Sequence, residues 1–300
     1  LPPVISHDAT AGRVSGAASL RWGLPEGALV SCGGGDNMMS AIGTGTLEDG
    51  LLAMSLGTSG TLFGHSDKPI VDPSVRLAAF CSSTGAWLPL LCTMNCTVAS
   101  EQIRSLLSLG LEGFNALAES ARPGAGGLVV LPFFNGERVP NLPHGRASVQ
   151  GARADNFTAA NLARAAMESA IFGMKAGLEA FTSQGFSARE IRLTGGGSKS
   201  RLWRQLTADI MGLPVRVPRV DEAAAMGAAF QAQFCLERSS LSAPEASRGS
   251  APRGIVAIAR DYLEAEESGL IHPDPEAAGY YERAYQSYVQ YLEALSPLYR

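Results

Sequence analysis

The hydrophobic positions of the chain fall into short apolar runs that alternate with longer stretches of helical periodicity. Runs at 28–32, 51–56, 61–63, 127–132 and 190–194 are short and bounded by glycine, proline or polar residues, which predicts buried strands. The brief glycine-containing break between the second and third runs predicts a hairpin. Further strands are predicted at 76–80, 87–91 and 215–217, the first two as a pair.

The longest periodic segment begins near Thr158, which we expect to cap a helix that ends near Gly185. Opposite charges four residues apart, Arg164 and Glu168, support this helix. Its apolar residues recur at spacings of three and four and form one stripe, made of Met167, Ile171, Met174, Leu178 and Phe181. Other helices are predicted at 37–41, 97–109, 114–121 and 199–211. Two more are predicted to begin after a cap at Asp221 and at Pro275.

The interleaved strands and helices predict an α/β or α+β fold with a mixed sheet. Residues 1–30 are expected to be a loop-rich lead-in, and 238–254 a surface loop. The last helix carries a stripe of Tyr281, Tyr285, Tyr288 and Leu292. That stripe could be buried against its own domain or could pair two copies in a homodimer, and both interpretations stay open.

Composition narrows the class of protein. Of the 300 residues, 46% are hydrophobic and 17% are charged, which suffices for a large core and argues against disorder. The 24 Lys and Arg residues against 28 Asp and Glu residues give a net charge of -4, which argues against a dedicated nucleic-acid binder. No apolar run approaches the ~20 residues that cross a bilayer. We therefore expect neither a nucleic-acid nor a membrane partner.

The five cysteines indicate a reduced, cytoplasmic protein, because their number is odd and no disulfide framework is visible. Cys92 and Cys96 form a C-x3-C pair, but neither a nearby histidine nor a second cysteine pair completes a zinc site. We interpret them as unpaired thiols and assign no metal ligands. The chain begins at Leu1 rather than methionine, so we expect it to be part of a longer protein.

Three glycine-rich turns carry the candidate chemistry. The first turn, residues 33–37 (Gly-Gly-Gly-Asp-Asn), follows a strand, and Asp36 could act there as a general base for a hydroxyl. A simple turn with Asp36 as a helix cap is the alternative. The second turn, residues 57–60 (Gly-Thr-Ser-Gly), offers backbone N–H groups and two hydroxyls to phosphate oxygens, or is an ordinary hairpin turn.

The third turn, residues 195–200 (Gly-Gly-Gly-Ser-Lys-Ser), lies between a strand and a helix, where bare backbone can approach an anionic or adenosine ligand. Close packing of helix and strand without a ligand is the alternative. The sequence contains neither a dinucleotide fingerprint nor a P-loop, which makes a nicotinamide-dependent dehydrogenase a poor hypothesis.

In this order, the three turns resemble those of the C-terminal half of FGGY carbohydrate kinases, from about residue 30 to 235. Residues 147–168 are similar to a second signature of that family, with Ala152 where a larger aliphatic residue is usual. Ser200 stands where glycerol kinases have an asparagine near the adenine base of the nucleotide. Within the family, residues 135–141 (Asn-Gly-Glu-Arg-Val-Pro-Asn) are most similar to xylulokinases, with gluconokinases next.

The resemblance implies an actin-like ATPase (ribonuclease H-like) fold, in which two domains flank a cleft and a mixed sheet is flanked by helices. Residues 1–30 would be a remnant of, or a linker from, the N-terminal sugar-binding domain. Residues 31–300 would be the C-terminal nucleotide-binding domain. The expected partners are therefore a sugar and ATP.

The resemblance also implies transfer of phosphate from ATP, with Mg²⁺, to a primary hydroxyl, with D-xylulose as the expected sugar. Asp36 would be the general base and would bind the sugar together with Asn37. The nucleotide would be held by Thr58, Ser59, Gly60, Gly151, Gly195, Gly196, Gly197 and Ser200. A kinase for gluconate, ribulose or glycerol, and a nucleotide-binding module without independent activity, are the alternatives.

Overall fold

A computed structural model of the chain describes residues 3–219, 222–239, 253–263 and 269–299. The predicted cap at Asp221 and most of the predicted loop at 238–254 lie outside these residues. The strands are β1 (Thr10–Arg13), β2 (Leu29–Ser31), β3 (Leu51–Leu56), β4 (Gly60–Gly64), β5 (Ala78–Cys81), β6 (Trp87–Thr93), β7 (Val129–Leu131), β8 (Ser148–Gln150), β9 (Glu190–Thr194) and β10 (Val215–Arg216). The helices are α1 (Gly16–Trp22), α2 (Asp36–Gly43), α3 (Val98–Leu106), α4 (Leu111–Ser120), α5 (Ala159–Ser183), α6 (Arg201–Met211), α7 (Ala223–Ser239), α8 (Ile255–Leu263) and α9 (Pro275–Leu295).

The main sheet has six strands in the order β10-β9-β3-β4-β6-β5. Strands β10, β9 and β3 are parallel, whereas β3, β4, β6 and β5 pair antiparallel. The predicted hairpin of β3 and β4 and the predicted pairing of β5 with β6 are both confirmed. The sheet is therefore mixed, as expected from the interleaved elements.

Helices cover both faces of this sheet because its central strands are apolar on both sides. One cross-strand row, Met54–Leu62–Leu91, faces the cluster that contains α5 and α6. The neighbouring row, Ala53–Phe63–Leu90, faces the cluster that contains Ala41 of α2. Successive residues of a strand point to opposite faces, so one apolar run supplies both cores.

The long helix α5 has the predicted cap, since the Thr158 side chain accepts a hydrogen bond from the Asn161 N–H. Of the predicted stripe, Leu178 is partly buried, and the fully buried residues are Met167, Ile171, Met174 and Phe181. Among the described helices, none combines the length and the apolar character that crossing a membrane requires.

The tyrosine stripe of α9 packs inside its own domain. Tyr281, Tyr285 and Tyr288 are all buried, and the Phe172 ring of α5 lies 5.5 Å from the Tyr288 ring. Burial against the same domain thus accounts for the stripe, and a homodimer stays an untested prediction.

The lead-in differs from the expected loop. Strand β1 pairs antiparallel with β2, and Ser15 caps the short helix α1, which ends at Gly23. No residue of α1 is buried, and its 7 residues are too few for a helical period to be recognised in the sequence. The domain boundary between residues 30 and 31 stays a prediction.

Helices α2 and α7 touch through their backbones. A Cβ atom added to Gly43 would lie 1.9 Å from the carbonyl oxygen of Ala223, and one added to Gly227 would lie 1.8 Å from that of Met39. Only glycine permits this approach. The contact fixes α2, and with it the first turn, against α7.

Candidate functional site

The first turn presents a carboxylate at the beginning of a helix. Gly35 is the N-cap of α2 and Asp36 is its first residue, so the alternative in which Asp36 itself caps the helix is wrong. The Asp36 side chain is exposed. Its Oδ1 accepts hydrogen bonds from the Asn37 N–H at 2.8 Å and the Asn37 amide at 3.2 Å. These two residues form one polar unit that a hydroxyl ligand can reach.

A buried amide of α7 holds the first turn from behind. The Gln231 Nε2 donates to the Gly33 carbonyl at 3.1 Å and to the Cys32 Sγ at 2.6 Å. Gln231 is fully buried in an alanine-rich helix. Nothing in the local sequence distinguishes this glutamine from an exposed one, which is why sequence reasoning missed it.

The second turn points its hydroxyls outward and its carbonyls inward. Thr58 and Ser59 are exposed, whereas Gly60 is buried against Met174. The Thr58 carbonyl accepts from the Cys96 N–H at 2.9 Å, and the Gly57 carbonyl accepts from the Thr97 N–H at 3.1 Å. The turn closes the β3–β4 hairpin as expected, and its outer surface offers donors to an anion.

The third turn lies beside the second because β3 and β9 run parallel and end together. Ser55 pairs with Thr194 in the last register position of these strands. A Cβ on Gly195, whose φ is 82°, would lie 2.7 Å from the Leu56 carbonyl oxygen. Gly197 also packs on Leu56, whereas Gly196 is exposed and faces open space. The turn thus combines close packing on β3 with two exposed glycines, Gly195 and Gly196.

Ser200 and Gly151 have structural contacts of their own. The Ser200 side chain caps α6 by accepting from the Trp203 N–H at 3.5 Å, and Trp203 is buried. A Cβ on Gly151 would lie 2.3 Å from the Gly127 carbonyl oxygen, and the Gly151 carbonyl accepts from Asn156. These contacts place Gly151 on the β7–β8 pair rather than on the main sheet.

A cavity of about 350 Å³ opens beside the third turn. Gly195, Gly196 and Ser198 line one part of it, and Lys199 and Arg204 bring two positive charges to it. The Arg204 Nε donates to the Ser198 carbonyl, which holds the guanidinium against the turn. Glu222 also lines the cavity and offsets one of these charges, so the lining keeps a small positive excess that favours an anionic ligand.

The second predicted signature contains a buried ion pair. The Arg164 Nε lies 2.8 Å from a carboxylate oxygen of Glu168, and the side chains are only 7% and 1% exposed. Arg164 also donates to the Tyr281 hydroxyl, and Glu168 accepts from the Gly124 N–H. Burial raises the pKa of Glu168 to about 7, against the opposing attraction of Arg164. This pair joins α5 to α9 and the loop before β7.

One cluster among the described residues has the composition of a metal site. Single ligand atoms of Asp49, His65 and Asp67 lie within 4.8 Å of one another, and the His65 Nε2 is 3.1 Å from an Asp67 oxygen. Both carboxylates are exposed, and the cluster lies at the open end of the β3–β4 hairpin, opposite the second turn. All five cysteines are free, and burial raises the pKa of Cys96 to about 12.

Comparison with known proteins identifies the family of the chain. The family model described as the C-terminal domain of the FGGY family of carbohydrate kinases matches residues 52–235. The chain belongs to the FGGY family of carbohydrate kinases. A xylulose kinase of Haemophilus influenzae is 40% identical over 295 residues, which are 98% of this chain and 57% of that protein. The chain thus spans a little over half the length of this FGGY relative.

Solved structures show the same fold. The ligand-bound xylulose kinase from Lactobacillus acidophilus matches with a TM-score of 0.88 at 22% identity, over 100% of this chain and 58% of that one. The gluconate kinase from the same organism matches with a TM-score of 0.87 at 22% identity, with the same coverage. At this identity the likeness concerns the fold alone. FGGY kinases have the actin-like ATPase fold, so the predicted fold class is confirmed.

Proposed function

We propose that this FGGY chain is the C-terminal part of an ATP-dependent sugar kinase that converts D-xylulose to D-xylulose 5-phosphate. The observation that carries the proposal is the exposed Asp36, hydrogen-bonded to the half-buried Asn37 at the start of α2, in a chain 40% identical to a xylulose kinase over 98% of its residues. The unpaired cysteines and the use of ATP fit a cytoplasmic enzyme, which is part of the proposal.

Asp36 acts as the general base. Its carboxylate accepts the proton of the primary hydroxyl while the sugar oxygen forms a bond to the γ-phosphorus. The bond from that phosphorus to the bridging oxygen breaks, and ADP leaves. Asn37 turns its amide from Asp36 to a sugar hydroxyl, a small movement for a side chain that now makes a 3.2 Å bond to its neighbour.

The second and third turns hold the nucleotide. The outward hydroxyls of Thr58 and Ser59 and the backbone at Gly60 donate to phosphate oxygens, and Gly195 and Gly196 leave room for the nucleoside. Gly197 and Ser200 support this surface by packing on Leu56 and capping α6, and Gly151 meets the nucleoside from the β7–β8 pair. The second turn offers hydroxyl and peptide groups rather than carboxylates, which suits phosphate. Mg²⁺ bound with the nucleotide would supply charge neutralisation.

The test is a coupled kinase assay of the complete protein with xylulose, ribulose, gluconate and glycerol. We expect ATP-dependent phosphorylation with the highest kcat/KM for D-xylulose. A higher kcat/KM for gluconate would reassign the substrate within the same chemistry, and the fold likeness to a gluconate kinase makes that sugar the necessary comparison. Phosphorylation of none of the four would contradict the proposal.

A nucleotide-binding module without independent activity is the second candidate for the 300-residue chain itself. It is favoured by the coverage, since the chain spans 57% of a relative's length and the family resemblance implies a cleft shared by two domains. Titration of ATP into the 300-residue chain, beside the sugar assay, separates the two. Binding without turnover favours the module, and turnover by the chain alone favours the kinase.

A further inference from the structure

Residues 135–141 form a loop that is fixed by a buried carboxylate. Glu137 is only 4% exposed, and its oxygens accept from the Met94 N–H at 2.6 Å, the Asn95 N–H at 3.2 Å and the Arg138 N–H at 2.8 Å. The Asn95 amide donates in turn to the Gly136 carbonyl at 2.5 Å. A buried carboxylate with this many N–H donors locks the loop to residues 94–95.

The same short segment is bonded to the second turn. The next residues along the chain, Cys96 and Thr97, donate their N–H groups to the Thr58 and Gly57 carbonyls. The Thr97 hydroxyl adds a bond of 3.0 Å to Gly57. A continuous set of hydrogen bonds therefore runs from Glu137 to the turn that presents Thr58 and Ser59.

Arg138 leaves this fixed loop toward the strand beside the second turn. Its Nη1 lies 3.4 Å from the Sγ of Cys92, and Cys92 pairs with Thr61, the residue after Gly60. Cys92 packs on the same apolar cluster as Met38, which stands two residues after Asp36 in α2. The guanidinium thus lies over strands that connect the phosphate-binding turn with the helix of the general base.

The charge of Arg138 has only a weak partner. Thiol sulfur is a poor hydrogen-bond acceptor, and no carboxylate of the described residues lies within ion-pair distance of this exposed guanidinium. The second turn itself is uncharged. Transfer of a phosphoryl group relies on cations that stabilise the charge on its oxygens, and a planar guanidinium suits them.

We propose that Arg138 is a further catalytic residue, whose guanidinium contacts the γ-phosphate of the nucleotide, and that Glu137 is its positioning residue. This inference rests on the proposed function, because it needs ATP at the second turn. Sugar chemistry is unchanged by it: Asp36 still takes the proton, and Arg138 only stabilises the phosphoryl oxygens.

The test compares Arg138→Gln with Arg138→Lys in the complete protein. Calorimetry with ADP and with a non-hydrolysable ATP analogue isolates the γ-phosphate. We expect Arg138→Gln to weaken binding of the analogue about tenfold and leave ADP binding unchanged, and to lower kcat about 10²-fold with the sugar KM within a factor of three. Arg138→Lys should restore part of the kcat. Arg283→Gln on α9 is the matched control, since its guanidinium is also exposed.

Glu137→Gln tests the positioning role, because the amide replaces one acceptor oxygen by a donor. We expect it to lower kcat, and the double variant with Arg138→Gln to lose little more than Arg138→Gln alone. Full additivity would overturn the positioning role.

An equal effect of Arg138→Gln on ADP and on the analogue, or no effect on either, would overturn the catalytic role. If Asp36→Asn abolishes turnover and Arg138→Gln does not lower it, the inference fails and the proposed function stands. If the complete protein phosphorylates no sugar, the proposed function fails, and the difference between ADP and analogue binding still decides whether Arg138 meets a γ-phosphate.

Discussion

The two carboxylates Asp36 and Glu168 lie in helices on opposite faces of the same sheet, and both belong to segments with family resemblance. Asp36 is exposed at the first residue of α2, and within the described part of the chain its side chain hydrogen-bonds to Asn37 alone. Glu168 is buried in the middle of α5 and is bonded to Arg164 and the Gly124 N–H. The difference teaches that similarity to a signature does not define a role. Asp36 is a candidate for chemistry because it is exposed to solvent, and Glu168 is a structural anchor because it is buried.

The largest expected effect is on turnover. Asp36→Asn should lower the kcat of the complete protein by about 10²–10⁴-fold, because the general base is lost. ATP binding and the free energy of unfolding should stay close to those of the wild type, since the side chain is exposed. Steady-state kinetics and ATP calorimetry measure the two. Asp67→Asn is the control for an exposed aspartate outside the turn, and an unchanged kcat in Asp36→Asn would remove the contrast between the two carboxylates.

The opposite result is expected for the buried pair. Arg164→Met should lower the free energy of unfolding by about 3–5 kcal/mol, because it leaves Glu168 without its cation and Tyr281 without a donor. The kcat per folded molecule should change little. Urea unfolding measures the loss. Arg104→Met, which breaks the exposed pair with Glu101, should cost less than about 1 kcal/mol. Similar losses in both variants would show that burial is not the cause.

The pH dependence of the free energy of unfolding should also reveal that Glu168 is buried. Because burial raises the pKa of Glu168 from 4.5 to about 7, the folded protein holds this proton more tightly than the unfolded chain does. This contribution to stability is complete below pH 4.5 and is lost as the pH rises through about 7. Between these limits, the free energy of unfolding of the wild type should fall relative to that of Glu168→Gln, by at most about 3 kcal/mol. A constant difference between pH 4.5 and 8 would contradict it.

In the third turn, the neighbouring glycines Gly195 and Gly196 should also differ in how much stability a substitution costs. Gly195→Ala forces a side chain at positive φ against the Leu56 carbonyl and should cost about 1–3 kcal/mol of unfolding free energy. Gly196→Ala enters open space, so stability should change by less than about 0.5 kcal/mol. If the nucleoside lies there, only the second variant weakens ATP binding without unfolding the protein. Denaturant titration and calorimetry of both variants provide the comparison, and equal stability losses would oppose it.

Much of the architecture could be predicted because the signals are local. The strands at 51–56 and 190–194 match their predicted bounds, and Thr158 caps α5 as expected. Short apolar runs between glycines determine such strands within a few residues. Helix α1 was missed because its 7 residues are too few for a helical period to be recognised.

The site was predicted less completely. Asp36 could be proposed because a carboxylate after three glycines is visible in the sequence, and its role as the base stays a prediction for an exposed side chain. Gln231 and Glu137 were missed because each acts on a segment distant in sequence, and a single glutamine or glutamate carries no local sign of burial.

The sequence alone determined the glycine turns, most of the strands and helices, the family and the candidate base, because these depend on neighbouring residues. Only the tertiary structure decided which groups are buried or meet across the chain. It placed Leu56 against Gly195, Gln231 behind Gly33, and Arg138 beside Cys92. Such contacts join residues tens to hundreds of positions apart, and they form only when the sheet and its covering helices are packed together.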